Sequence, residues 1–299
     1  MTRNPAPPPA EPTPVDSSEP PFTVLAFGEF PPGQLAAVYE PRPRPTTPEL
    51  EAAIVETWRQ QTAAAERDGR LLFNGELIRY LGHETTAASP PALRLRLGPT
   101  CYRDFVGTNL YGREWLERVG WECFANPVGT TATLVTADGL VCYGRRSGRV
   151  AFHGGHVHTF GGALEGCDLA PDGCSIDPLA SLRRELDEEL GLASEDLVEP
   201  VCVGLIRDHQ IFQPELLFEA GLTLTAAELA ARWSGAESRN EHDALVTLPD
   251  RPEAVLPFLR GCGPIAPVAV GALLLHGRRR WGEAWFAETA VAWADLGRT

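Results

Sequence analysis

The sequence has no excess of positive charge: its formal net charge is −14, which argues against a broad electrostatic grip on nucleic acid. It has no run of 18 apolar residues, so no membrane span is expected. No charged segment leads into an apolar run at the start, so no secretory signal is expected either. The seven cysteines (101, 123, 142, 167, 174, 202, 262) are odd in number and widely scattered. That pattern suits reduced thiols in a cytoplasmic protein. Internal repeats are absent too. The hydrophobic fraction of 43% and charged fraction of 22% are those of a globular chain, and 299 residues suffice for one large domain or two modest ones.

Residues 1–22 are proline-rich and poor in large apolar groups, so a disordered tail is expected there. Residues 22–27 read as a first strand and the Pro-Arg alternation at 41–45 as an extended linker. Thr47-Pro48-Glu49 opens a helix in which Leu50, Ile54, Trp58 and Gln61 follow at helical spacing to about Asp68-Gly69. Period-two alternation predicts strands at 71–73, 77–80 and 93–97, and 103–118 holds a short helix. This predicts a small α+β N-terminal domain over 23–125, and a second domain over 126–299. In the latter, Asp138-Gly139 joins a hairpin of 130–136 and 140–143. A glycine-rich stretch (154–166) precedes an amphipathic helix over 178–190, stopped by Gly191. Strands at 201–206 and 216–222 follow, then a helix opened by Thr225, and a last helix whose Trp285, Thr289 and Trp293 read as core.

The informative run is Arg184-Glu-Leu-Asp-Glu-Glu-Leu-Gly-Leu192. On a helix, Glu185, Glu188 and Glu189 share a face beside the stripe Leu179, Leu182, Leu186 and Leu190. Three carboxylates so placed repel one another. A hard divalent cation relieves that repulsion, and Mg²⁺ takes carboxylate oxygens together with water and substrate phosphates. Arg184 can hold a glutamate by a bidentate bond. A solvated acidic face is the alternative for the glutamates alone. His153, His156, His158, Cys167 and Cys174 offer zinc-ligand chemistry, but at spacings that fit no standard zinc module.

The run resembles the second half of the Nudix box at every specified position. The first half departs from it: Gly162 is followed after five residues by Asp168 where the box has Glu. Fifteen residues then separate Asp168 from Arg184, so that a loop over about 169–176 is inserted. A narrower resemblance covers most of the chain after residue 45. Leu95-Arg-Leu-Gly-Pro-Thr-Cys-Tyr-Arg-Asp-Phe-Val-Gly-Thr-Asn109 is similar to a segment of the Nudix branch that hydrolyses UDP-glucose and UDP-galactose. Residues 54–58, Leu72-Phe73 and Gly161-Gly-Ala-Leu-Glu165 fit the same template.

The resemblance implies a Nudix α/β/α sandwich with a mixed sheet, preceded by the α+β N-terminal domain. It implies Mg²⁺ as cofactor, with Mn²⁺ as a substitute, held by Glu185 and Glu189 with Glu188 as a ligand or base. It places Phe73 and Tyr102 at the uridine, and Arg146, Ala151, His158 and Glu165 at the nucleotide or its phosphates. Core packing for the aromatics and a hairpin-edge charge for Arg146 are the plain alternatives. Glu241, in a polar loop, is a second candidate general base. The reaction implied is hydrolysis of a UDP-sugar to UMP and a sugar 1-phosphate, with that small molecule as the partner rather than nucleic acid or membrane. Other Nudix substrates (ADP-ribose, a dinucleotide, a coenzyme A derivative) and a non-catalytic nucleotide sensor are the rival readings.

Overall fold

The computed structural model describes residues 20–69, 72–86, 91–148 and 153–296. Among the described residues the strands run β1 (Phe22–Phe30), β2 (Leu35–Tyr39), β3 (Glu76–Thr86), β4 (Ala92–Cys101), β5 (Gly129–Val135), β6 (Leu140–Arg146), β7 (Val157–His158), β8 (Phe160–Ala163), β9 (Ser175–Ile176), β10 (Leu197–Asp208), β11 (Pro214–Leu222) and β12 (His242–Pro249). The helices are α1 (Pro48–Arg67), α2 (Tyr102–Phe105), α3 (Leu116–Val119), α4 (Pro178–Leu190), α5 (Ala226–Trp233), α6 (Pro252–Gly261), α7 (Pro267–Trp281) and α8 (Glu283–Leu296).

The large sheet has the order β1-β10-β11-β5-β6-β12, with β7 on β6 and β8 on β5. Among the described residues β11 and β5 pair in parallel and the other strand pairs of this sheet are antiparallel, so the sheet is mixed. Its strands show why both faces are covered. Cys202, Leu205, Leu216 and Phe218 join the core beneath α4, while Val203, Ile206 and Leu217 join the core beneath α7. Successive side chains of a strand point to opposite faces, so a sheet with apolar residues at both parities needs a helix on each side. Leu179, Leu182, Leu186 and Leu190 of α4 are all buried against this sheet. Each contributes about 1.5–3 kcal/mol. The sandwich expected from the resemblance is therefore present, with β1 joining the large sheet rather than the N-terminal one.

The small sheet, β3-β4-β2-β9, carries α1 and the turns after Cys101. Its last strand comes from the inserted loop: Val38 and Ala37 pair with Ser175 and Ile176. The insertion thus clips the N-terminal sheet to the segment entering α4.

Several expectations need correction. Phe22, where the expected tail and the expected first strand overlap, is buried and opens β1, so the expected tail ends too late; residues 1–19 lie outside the described residues. Residues 72–75 form no strand, and Leu71 lies outside the described residues. The helix expected over 103–118 is broken into α2, a π turn at Val106–Leu110, a 3₁₀ turn at Arg113–Trp115 and α3. All seven cysteines are free thiols. Among the described residues no helix is long and apolar enough to cross a membrane.

Candidate active site

Local sequence fixes α4 at both ends. The Asp177 carboxylate accepts from the N–H groups of Leu179 and Ala180, Pro178 occupies the first turn, and Gly191 leaves at φ +67. Within the helix the three glutamates part company. Glu189 is 2% exposed and accepts the Gly161 N–H at 2.8 Å. Glu185, one turn earlier, lies against Gly162, where a Cβ would collide with its carboxylate. Glu188 instead points outward, its side chain 40% exposed and 3.4 Å from Arg184 Nη1.

Arg184 lies 2.7 Å from Glu185 and 3.4 Å from Asp168. Asp168, which stands where the box has Glu, accepts the Glu165 N–H at 2.8 Å and the Ser181 hydroxyl at 2.9 Å. It therefore anchors the exit of the glycine loop to α4. Burial pushes the Glu185 carboxyl up to about 7 despite the neighbouring Arg184. Burial, aided by the charge of Glu241, pushes Glu189 well above the usual carboxylate range. Two acids held this way disfavour their own ionisation until a cation compensates them.

Beside this turn lies a cavity of about 240 Å³ floored by Gly161 and Gly162. Of the residues expected at the site, Tyr102, Arg146, His158, Glu165, Glu185 and Glu241 line it. Arg146 Nη2 and Glu241 Oε2 are 3.9 Å apart across its rim. His158 Nδ1 lies 2.8 Å from the Thr159 carbonyl, and burial holds its pKa well below the ordinary imidazole value, so the ring is neutral. Phe73 is not brought to the cavity: it is 71% exposed, its ring beside Gly75. Ala151 lies outside the described residues. Glu189 backs the site from behind the glycine floor, and neither Glu188 nor Arg184 lines the cavity. Among the described residues no three His, Cys, Asp or Glu side chains converge as a metal-binding group, the His153–Cys174 set included.

Tyr102 is placed by a network that the sequence does not announce. Its N–H donates to the Gly75 carbonyl, and the Arg103 N–H to Asn74 Oδ1 at 2.7 Å. Asp104 is held by Arg103 at 3.0 Å, an internal ion pair, and from the other side by the buried Arg44 at 3.1 Å. Asn109 donates to the Ile211 carbonyl at 3.0 Å, tying this turn to the β10–β11 connection. Asp208, Gln213 and Glu215 of that connection also line the cavity and were missed. No sequence signal set them apart, because they lie in a connection that also carries Arg207, His209 and Gln210.

Gly161 has φ +139, and a Cβ there would meet the Thr130 carbonyl across the β5–β8 pair. Gly161→Ala is expected to cost about 1–3 kcal/mol and to displace the N–H that Glu189 accepts. Denaturant melts and turnover should both fall; an unperturbed variant would contradict this reading of the floor.

A mixed sheet between two helical layers, with an Arg-Glu-x-x-Glu-Glu helix seated on a glycine loop, is the arrangement on which the chain resembles the Nudix hydrolases. No family model matches the chain. Over 82% of its length it is 27% identical to uridine diphosphate glucose pyrophosphatase NUDT22 of Bos taurus, spanning 90% of that protein. The Homo sapiens protein of that name is 28% identical over 82% of this chain and 86% of its own length. Nudix hydrolase 9 of Arabidopsis thaliana is 26% identical over 67% of this chain and 72% of its own. A solved MutT protein from Methanosarcina mazei covers 52% of this chain and 94% of its own, at 14% identity and a TM-score of 0.33. The resemblance read from the sequence, to the Nudix hydrolases and to their UDP-glucose branch, is borne out by the named relatives.

Proposed function

We propose that the protein hydrolyses the diphosphate bond of UDP-sugars, UDP-glucose and UDP-galactose, to UMP and a sugar 1-phosphate. The observation that carries this reading is one cavity that gathers unlike groups: Tyr102 with its apolar neighbours Leu77, Phe105 and Ile211, and with them Arg146 and Glu185. An aromatic face suits a pyrimidine, and a guanidinium suits phosphate oxygens. The names of the relatives agree.

Glu185 and Glu189 fit a hard divalent cation, because burial raises both carboxyls and an oxygen-seeking ion reverses that cost. Mg²⁺, or Mn²⁺ in its place, would neutralise charge developing on the bridging oxygen. The rest falls to the chain itself. Arg146 holds the phosphates, and the glycine floor lets them approach the backbone. Water attacks one phosphorus: a P–O bond to water forms, the bridging P–O bond breaks, and the water's proton passes to a carboxylate. Glu241 faces the cavity and Glu188 does not, so Glu241 is the base we favour.

The test is a panel of nucleoside diphosphate compounds with Mg²⁺, assayed for mononucleotide and sugar 1-phosphate. UDP-glucose and UDP-galactose should turn over best. Cleavage of ADP-ribose with no UDP-sugar turnover would overturn the substrate assignment. Tyr102→Ala should raise KM for UDP-glucose by about tenfold or more, the worth of one stacked base. An unchanged KM would place the base elsewhere.

A further inference from the structure

We propose that Gln213, with Asp208 and Glu215 beside it, is the edge that reads the nucleobase and selects uracil. The inference takes its ligand from the UDP-sugar reading above. Gln213 is 6% exposed and lines the cavity, and its side-chain amide is not among the polar atoms sealed without a partner, so it opens on the cavity. A ligand that displaces water from this amide must supply both its donor and its acceptor, or leave it unmatched at a cost.

The order of strands says which part of the ligand it meets. Arg146 ends β6, and Glu241 immediately precedes β12, at one side of the cavity. Asp208 ends β10 and Glu215 lies on β11, at the other side, with β5 between. The phosphate-binding guanidinium and the Gln213 edge are therefore separated across the sheet. Leu77, Phe105 and Ile211 pack in one apolar cluster with Tyr102, and Ile211 belongs to the turn that Gln213 closes. The edge thus accompanies the aromatic end, where a flat ring would lie.

That turn is rigid. Asp208 Oδ1 accepts the N–H groups of Gln210 and Ile211, the Asp208 N–H donates to the Gln213 carbonyl, and Trp121 Nε1 donates to the Phe212 carbonyl. Glu215 lies over Gly129, where a Cβ would overlap its carboxylate. Burial raises Asp208 to about 7, and burial with the charge of Asp208 raises Glu215 well above the usual carboxylate range, which favours a proton on this carboxyl pair.

An amide and a proton-bearing carboxyl pair can together present donor, acceptor and donor. Uracil offers the complement: O4 accepts, N3–H donates, O2 accepts. Cytosine offers an amino donor and an N3 acceptor there, and a purine is too large for the same seat. Discrimination by paired buried hydrogen bonds is strong because the wrong ring leaves protein groups unmatched.

The test compares equilibrium binding of UMP and CMP to the full chain, by calorimetry, in wild type and Gln213→Met. Wild type should bind UMP at least tenfold tighter than CMP, and Gln213→Met should bring the two within about twofold. Gln213→Asn, which keeps polarity but shortens the reach, should behave like Gln213→Met. A UMP preference retained in both variants, or none in wild type, overturns the inference. Because binding is read, failure of UDP-sugar hydrolysis would be seen separately. In hydrolysis assays the ratio of UDP-glucose to UDP-galactose turnover should not move; a shift in that ratio would assign Gln213 to the sugar and overturn the base assignment.

Discussion

Glu189→Gln is expected to lower turnover of UDP-glucose by about a thousandfold while raising the melting temperature of the metal-free protein. Both effects arise from one buried oxygen pair. The carboxylate accepts the Gly161 N–H at 2.8 Å, has His242 3.9 Å from its other oxygen, and is all but sealed from water. Its folded pKa lies well above the usual range because burial and the charge of Glu241 oppose ionisation. A carboxyl with a raised folded pKa favours the fold below its unfolded pKa, and that contribution is lost as pH rises through the folded value. At neutral pH, without a cation, the wild-type side chain is therefore a liability that the neutral amide removes. Function needs the charge, since an amide cannot neutralise a divalent ion. Steady-state kinetics and thermal melts in chelator check the two halves. A variant that keeps a tenth of wild-type turnover, or that melts lower in chelator, would contradict this role for Glu189.

His276→Ala is expected to destabilise the fold by about 3–5 kcal/mol, far from the cavity. His276 is wholly buried in α7, with Glu219 of β11 2.9 Å from Nδ1 and Asp250 2.9 Å from Nε2. Arg279 and Arg280 hold the same carboxylates at 2.6 and 2.9 Å. Burial pulls the imidazole pKa down, but hydrogen bonds to Asp250 and Glu219 outweigh it and raise the net value. Burial also works against Glu219 and Asp250, yet their bonds to His276 leave both lowered. The imidazole's contribution is present below its unfolded pKa, about 6.5, and fades as pH rises through the higher folded value. The carboxylates' contribution is present above their unfolded values and fades as pH falls through the folded ones. Urea titrations across pH should show wild-type stability declining on the alkaline side of the imidazole, and that decline should be missing in His276→Ala. A loss under 1 kcal/mol with an unchanged pH profile would mean the cluster is incidental.

The sequence was most legible where local chemistry alone decides the structure. The leucine spacing and Gly191 delimit α4 as the structure has it, and the Asp177 cap seen in the structure agrees with them. The hairpin at Asp138-Gly139 and the Thr225 cap were visible for the same reason. By contrast, α7 is buried from Pro267 to Gly277, and a helix apolar all round has no period to detect. The two-residue β9 exists because β2 stands ready to pair with it, which no local signal encodes.

The candidate site divides in the same way. Spacing placed Glu185, Glu188 and Glu189 on one arc, but spacing cannot say which of the three the glycine floor will meet. Contact with Gly161 and Gly162 selects Glu185 and Glu189, and Arg184 draws Glu188 outward. Phe73 and Gln213 show the limit from both sides. An aromatic that fits a motif stands in solvent, and a glutamine that no motif marks ends up largely buried in the cavity wall.

Electron paramagnetic resonance of Mn²⁺, titrated into wild type and into Glu185→Gln/Glu189→Gln, puts the acidic turn to the test without relying on turnover. Wild type should quench the free-ion signal stoichiometrically in the presence of UMP, and the double variant should leave it as in buffer. Equal Mn²⁺ uptake by both proteins, or none by wild type, would contradict the assignment of α4 and its glycine floor as the place where a divalent ion and a diphosphate meet.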